Sequence, residues 1–286
     1  MQLELLLFKR WLICQYPNSS TSTHYFSDLA LFFSYVQKSL VAITTHDVDE
    51  YIKYSLASRL SHSSINRRLC SLRSFYYFLS IINDLPVECP IVPERHFLYK
   101  PQRLPRDVSE EQIKLILAHI HDLRDKAIFT LMLECGLRVG EIHNLSLDDV
   151  LIDNLPRLRI HGKGDQHRIA YLSPPARDTL INWLKSRPVT MDRAVFISRH
   201  SKRLSISGIQ FILNGYARKA DIHLTCHQFR HAFGRRMAEA KLPVTTIQRL
   251  LGHRSPRTTQ GYINLSNSVL RGEYNEAITC VLESLS

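Results

Sequence analysis

Five prolines, Pro86, Pro90, Pro93, Pro101 and Pro105, fall between residues 85 and 106. Each fixes its own φ and removes a backbone donor, so no regular helix can run through the stretch. Arg95, Lys100 and Arg103 lie between them and Arg106 follows, which predicts an extended basic linker. It divides the 286 residues into a first part, 1–84, and a second, 107–286. That length suits roughly two domains.

The first part predicts four helices. Residues 3–16 place Leu3, Leu6, Leu7, Trp11 and Ile13 on or near one face. With Glu4 early and no small-residue cleavage site, this is an amphipathic helix and not a signal peptide. Pro17-Asn18-Ser19-Ser20 interrupts it. A second helix carries Tyr25, Leu29, Phe32, Phe33 and Val36, and Thr45 caps a third through Val48, Tyr51, Ile52 and Leu56. Ser61 to Ser64 precede a fourth over residues 65–82, with Ile65, Leu69, Leu72, Phe75, Phe78 and Leu79 as its buried stripe. Arg67, Arg68 and Arg73 fall off that stripe. They suit a helix lying along DNA, and equally a solvated charged face.

The second part opens with Ser109 ahead of Glu110 and Glu111, acidic residues suited to a helix N-terminus. Residues 124–145 begin as an apolar helix, turn at Gly136 and continue with Arg138 and Glu141 three apart. Leu158 and Ile160 alternate with polar residues, and Ile169 and Tyr171 do so on the return. Gly162-Lys163-Gly164-Asp165 supplies the turn, so this is a β-hairpin with Lys163 at its tip. Helices follow around Ala176–Ser186, Ser205–Lys219 and His227–Ala240. The predicted fold class is mainly α: an all-α N-terminal domain, then a mostly α domain with a small antiparallel sheet.

Composition narrows the function classes. A hydrophobic content of 44% with 22% charged residues is ordinary for a chain with a real core. No apolar run reaches the roughly 18 residues of a membrane span. The six cysteines are scattered without a CxxC pair, which predicts reduced thiols and a cytoplasmic protein. Net charge is +11. Residues 101–286 hold 27 Lys/Arg against 18 Asp/Glu, so most of the surplus sits there. Such a surface attracts phosphate backbones, although basicity alone also describes many non-binders.

The chemistry concentrates between His227 and Tyr262: His227 and Arg230 three apart, His253 in a Leu-Gly-His turn, and Tyr262 nine positions later. Cleaving a phosphodiester without metal requires charge neutralisation at the nonbridging oxygens, an in-line nucleophile, a proton for the leaving alkoxide and fixed register. Arg138, Lys163, His227, Arg230, His253 and Tyr262 supply a candidate for each role. Singly, each has a plainer reading. Arg138 can pair with Glu141, Lys163 can be an ordinary turn lysine, His253 can follow a helix C-cap, and Tyr262 can be a half-buried aromatic. The ordered set is harder to explain that way.

The segments CGLRVGEI, HGKGDQHR, HQFRH and LGHRSPRTTQGY together resemble those of the tyrosine recombinases, the phage-integrase family, in a simple Xer-like or transposon-type form. The resemblance covers nearly the whole chain. Tyr25–Leu29 and Asn66–Leu79 resemble the family's helical, SAM-like core-binding domain. It implies that Arg138 and Arg230 clamp the scissile phosphate and that Glu141 braces the first arginine. Lys163 would protonate the leaving 5′-oxygen, His227 would assist proton transfer at the tyrosine, and His253 would hydrogen-bond a phosphate oxygen. Tyr262 would attack to give a 3′-phosphotyrosine, with no metal, ATP or other cofactor. The implied partners are double-stranded DNA with paired inverted core sites and a homo-tetramer that exchanges C-terminal helices, with no membrane. The helical module begins almost at Met1, so no arm-binding domain is expected ahead of it. Asn264 stands where many members have His, and Cys135-Gly136 where many have Thr-Gly.

Rival readings are a metalloenzyme, a DNA-binding module without catalysis, and a type IB topoisomerase. His227 and His231 have HxxxH spacing, but Gln228 cannot serve as the base of a zincin helix. A pure binder leaves the Arg, Lys, His, Arg, His, Tyr order unexplained.

Overall fold

The computed structural model describes residues 2–17, 21–99, 108–161 and 167–252. The chain divides into two compact units, residues 1–103 and 104–286. Among the described residues no helix is long and apolar enough to cross a membrane.

The first unit is built from α1 (Gln2–Gln15), α2 (Thr21–Val36), α3 (Thr45–Ala57) and α4 (His62–Tyr77), with a π-helical turn over Phe78–Ile82. The α4 stripe is buried as its spacing predicts: Ile65, Leu69, Leu72, Phe75, Phe78 and Leu79 all lie in the core. Ser61 caps this helix, accepting from the Ser64 backbone N–H at 3.2 Å. Thr44, one residue before the predicted Thr45, caps α3, and its N–H donates to Asp47 at 2.9 Å.

Helix α1 corrects the reading of its apolar face. Phe8 and Leu12 are buried, while Leu3, Leu6 and Ile13 are exposed. Apolar residues surround this helix, so periodicity selects no side. The ring of Phe8 decides, packing on Phe75 at 5.3 Å and Phe78 at 5.5 Å.

The predicted linker is also different in its described half. Residues 85–99 pack onto the helical unit, with Ile91 and His96 buried. Pro93 opens a one-turn helix, α5 (Pro93–His96), because its missing N–H falls where a helix start needs none. Arg95 pairs with Asp49. Asn66 and Leu98 exchange two hydrogen bonds, 2.8 and 2.9 Å, and His62 Nδ1 donates to the Tyr99 carbonyl at 2.8 Å. Residues 100–107 lie outside the described set.

In the second unit, α6 (Glu110–His119) is capped by Ser109 and leads to α7 (Leu123–Glu134), the central helix. Residues 127–129 and 131–133 of α7 are buried apolar side chains. A short α8 (Val139–Asn144) precedes an antiparallel sheet of β1 (Val150–Leu151), β2 (Arg157–His161) and β3 (His167–Tyr171) in the order β1-β2-β3. The first strand lies outside the predicted hairpin and is too short for alternation to reveal. The sheet leads to α9 (Pro174–Ser186), α10 (Ile206–Lys219), α11 (Cys226–Glu239) and α12 (Val244–Leu251). This is the predicted mainly α class with a small antiparallel sheet.

The register corrects one face. Leu158 pairs with Ala170, Ile160 with Arg168, and Arg159 with Ile169. The buried face of β3 therefore carries Ala170 and Arg168, while Ile169 and Tyr171 are exposed. With a side-chain period of two, one position decides which set faces inward.

Candidate active site

The site begins where α7 stops. Gly136 has φ +61°, and a Cβ there would meet Phe233 at 2.6 Å and Leu251 at 2.9 Å. Only glycine fits both the conformation and the space. The chain turns and enters α8 with Arg138 as its N-cap residue. Glu141 reaches back one turn: its Oε2 accepts the Arg138 backbone N–H at 2.8 Å, and its Oε1 accepts Arg138 Nη1 at 2.9 Å. Arg138 is thus oriented by backbone and side chain together, and its side chain stays 42% exposed.

Helix α11 brings the second motif arginine to the same carboxylate. Arg230 is buried, with Nη1 3.7 Å from Glu141 Oε2, and it donates to the Gly136 carbonyl. His227 lies one turn earlier on this helix. A third arginine, Arg168 of β3, donates from Nη2 to Glu141 Oε2 at 2.9 Å.

The same three arginines hold the C-terminal end of α12. Arg168 donates to the Leu250 carbonyl at 2.7 Å, Arg230 to the Leu251 carbonyl, and Arg138 to the Gly252 carbonyl at 3.2 Å. Helix ends leave their last carbonyls unpaired and carry partial negative charge, so cations are favoured there. Gly252, at φ +62°, completes this end.

Electrostatics follow from the packing. Burial alone raises the pKa of Glu141. Arg168, the Arg138 backbone N–H, Arg230 and the Arg138 side chain outweigh it, so the carboxyl sits below its ordinary value. His227 keeps an open side to solvent, yet partial burial of its ring, then the charges of Arg230 and Arg138, hold its pKa below 6.5. At neutral pH its imidazole is uncharged and able to accept a proton.

Of the predicted site residues, the structure brings together Arg138, Glu141, Arg230 and His227. Lys163, His253 and Tyr262 lie outside the described residues. In the first unit, Arg73 is exposed, and Arg67 pairs with buried Asp28. Arg68 departs from the outward placement: its side chain is 17% exposed and donates to the Tyr51 hydroxyl at 2.9 Å. Buried Asp28, 3.9 Å from Arg68, draws it inward. Sequence reasoning missed Arg168. The signal was available in the hairpin, because a register opposite Ile160 puts a charge on the buried face. The rings of His227 and His231 meet edge-on at 4.3 Å, and among the described residues no three His, Cys, Asp or Glu are grouped to hold a metal.

Comparison with known proteins gives the family. Residues 106–268 match the model of the Phage integrase family, and residues 8–80 match that of the phage integrase N-terminal SAM-like domain. Tyrosine recombinase XerC of Caldanaerobacter subterraneus subsp. tengcongensis is 33% identical over 224 residues, 73% of this chain and 61% of that protein. Tyrosine recombinase XerC of Chromobacterium violaceum is 34% identical over 266 residues, 90% of this chain and 88% of that protein. The fold matches XerH site-specific recombinase, solved in a post-cleavage complex with its palindromic difH substrate. Its TM-score is 0.74 at 18% identity, covering 88% of this chain and 78% of XerH. The chain belongs to the phage integrase family and is a tyrosine recombinase.

Proposed function

We propose that this chain recombines double-stranded DNA at specific sites through a covalent tyrosine intermediate. The observation that carries the reading is the shared carboxylate of Glu141, which lies 2.9 Å from Arg138 and 3.7 Å from Arg230, the two motif arginines. A guanidinium pair there offers forked donors to the nonbridging oxygens of a phosphate as charge develops.

In this reading the Tyr262 hydroxyl attacks phosphorus in line. The Oη–P bond forms as the P–O5′ bond breaks, leaving a 3′-phosphotyrosine and a free 5′-hydroxyl. His227, neutral at working pH, assists proton transfer from the phenol. Lys163 gives its proton to the leaving 5′-oxygen, and His253 hydrogen-bonds the phosphate. A 5′-hydroxyl from a second strand then reverses the step. The ester conserves the bond energy, so rejoining needs neither ATP nor metal.

Arg67 and Arg73 are the first unit's candidates for DNA phosphates. The assembly is a homo-tetramer on paired inverted core sites, linked by exchanged C-terminal helices, and it works in the cytoplasm. The reading's biological setting is integration or resolution for a mobile element or replicon.

The test itself reveals the target sequence. Wild type and Tyr262→Phe are expressed in cells with their natural DNA, denatured and purified, and any attached DNA is sequenced. The expected result is attached DNA from wild type alone, ending at a shared short motif. Equal recovery from both proteins would move the nucleophile elsewhere. No adduct from either protein, nor from a nicked suicide duplex, would refute the covalent mechanism.

A further inference from the structure

Arg168 is the one arginine around Glu141 that no motif reading selected. It stands on β3 opposite Ile160, with only 13% of its side chain exposed. Taking a guanidinium out of water is costly unless its donors are matched. Both terminal nitrogens of Arg168 have partners, while its Nε is buried without one among the described residues. One arm donates to Glu141 Oε2 at 2.9 Å and the other to the Leu250 carbonyl at 2.7 Å. Oε2 is the oxygen that accepts the Arg138 backbone N–H and lies 3.7 Å from Arg230. The stem of Arg168 also passes Gly252 so closely that a Cβ there would sit 2.9 Å from Arg168 Cδ. Three structural pieces therefore meet on one planar fork: the hairpin, the carboxylate that aims Arg138 and Arg230, and the end of α12.

We infer that Arg168 is a positioning residue for strand cleavage, fixing Glu141 and the end of α12 so that Arg138 and Arg230 keep their aim at the phosphate. This rests on the function proposed above. Arg168 acts through Glu141, and it also ties the strand five residues after Lys163 to that carboxylate. An arginine can hold both anchors at once because its donors are set in a rigid fork. A lysine carries its three donors on one nitrogen, without the fork that spans the two anchors.

The charged groups facing Glu141 are Arg138 from α8, Arg168 from β3 and Arg230 from α11, with His227 beside the last and first of these. The arginines do not titrate in the accessible range. With Arg168 gone, Glu141 takes up a proton at higher pH and loses its hold on the other two. His227 titrates in wild type and variant alike.

The experiment uses the full chain and a nicked duplex carrying the motif recovered from the adduct. DNA affinity and the single-turnover rate of adduct formation are measured from pH 5 to 8 for wild type, Arg168→Gln and Arg168→Lys. The expected result is DNA affinity within about threefold of wild type and adduct formation slowed roughly 10- to 100-fold in Arg168→Gln. That loss deepens as pH falls, and Arg168→Lys lies between. A loss uniform across pH and matched by lost DNA binding marks a merely structural role and overturns the inference. If Arg168→Gln does not fold, Arg168→Lys decides: slower cleavage at retained affinity supports the inference, and the wild-type rate overturns it. If wild type itself gives no Tyr262-dependent adduct, the functional reading fails with it. If wild type reacts and Arg168→Lys reacts as fast, only the role of Arg168 fails.

Discussion

Helix α11 carries two arginine clusters less than two turns apart, with opposite charge balances. At one end Arg230 joins Arg138 and Arg168 around the single carboxylate of Glu141. At the other, Arg235 and Arg236 meet Glu110, Glu134 and Glu239. The second cluster is charge-satisfied and acts as a bolt: Glu110 alone accepts from Arg235 at 2.9 Å and from Arg236 at 2.6 Å, tying α6 to α11. The first cluster keeps an excess of positive charge among the described residues, and its Arg138 is partly open to solvent. Counting arginines does not separate a phosphate site from a structural clasp. On the function proposed above, counting the carboxylates that face them does.

The largest expected effect breaks the surplus directly. Arg138→Ala should slow adduct formation by about two to three orders of magnitude, since a preorganised donor to the developing charge is lost. A nicked suicide duplex reads this.

A smaller effect belongs to the clasp. Hydrogen bonds from Arg236, against the cost of burial, and then from Arg235, hold the Glu110 carboxyl at about 2. A carboxylate whose folded pKa is depressed stabilises the fold above its unfolded value of about 4.5, and that contribution fades as pH falls toward 2. Glu110 is 34% exposed, so screening limits the effect to about 1 kcal/mol. Glu110→Gln should therefore melt a few degrees below wild type at pH 7, and the gap should close between pH 4.5 and 2. A gap that persists at pH 2 would mean that the pair is not what Glu110 contributes.

The smallest effect is a titration. The His227 imidazole should titrate below 6.5, and Arg138→Ala should move it back toward that value. NMR of the ring protons, assigned with His227→Gln, checks both directions. An unmoved or lowered value would separate His227 from the arginine field.

The same contrast explains what was legible from sequence. The α4 stripe was readable because large apolar residues recur at helical spacing between polar ones. On α1 they recur on every side, and only the packing of Phe8 on Phe75 and Phe78 selects a face. The prolines marked a change of structure after residue 84, yet Pro93 at a helix start let residues 85–99 settle onto the first unit. The grouping of Arg138, Glu141, His227 and Arg230 was readable because they fall in two compact motifs. Arg168 was not, because its role depends on strand register and on two partners 27 and 82 residues away.

The most direct test sets the two clusters side by side. Adduct formation on the nicked duplex is measured per folded molecule for wild type, Arg138→Ala and Arg236→Ala, with a thermal melt of each. Arg138→Ala should lose the adduct by about two orders of magnitude or more while keeping its melting temperature near wild type. Arg236→Ala should lose stability and keep its adduct rate within about threefold, as a residue outside the reacting centre. Equal loss of adduct in the two variants would contradict the claim that the charge surplus at Glu141 is where the phosphate is held.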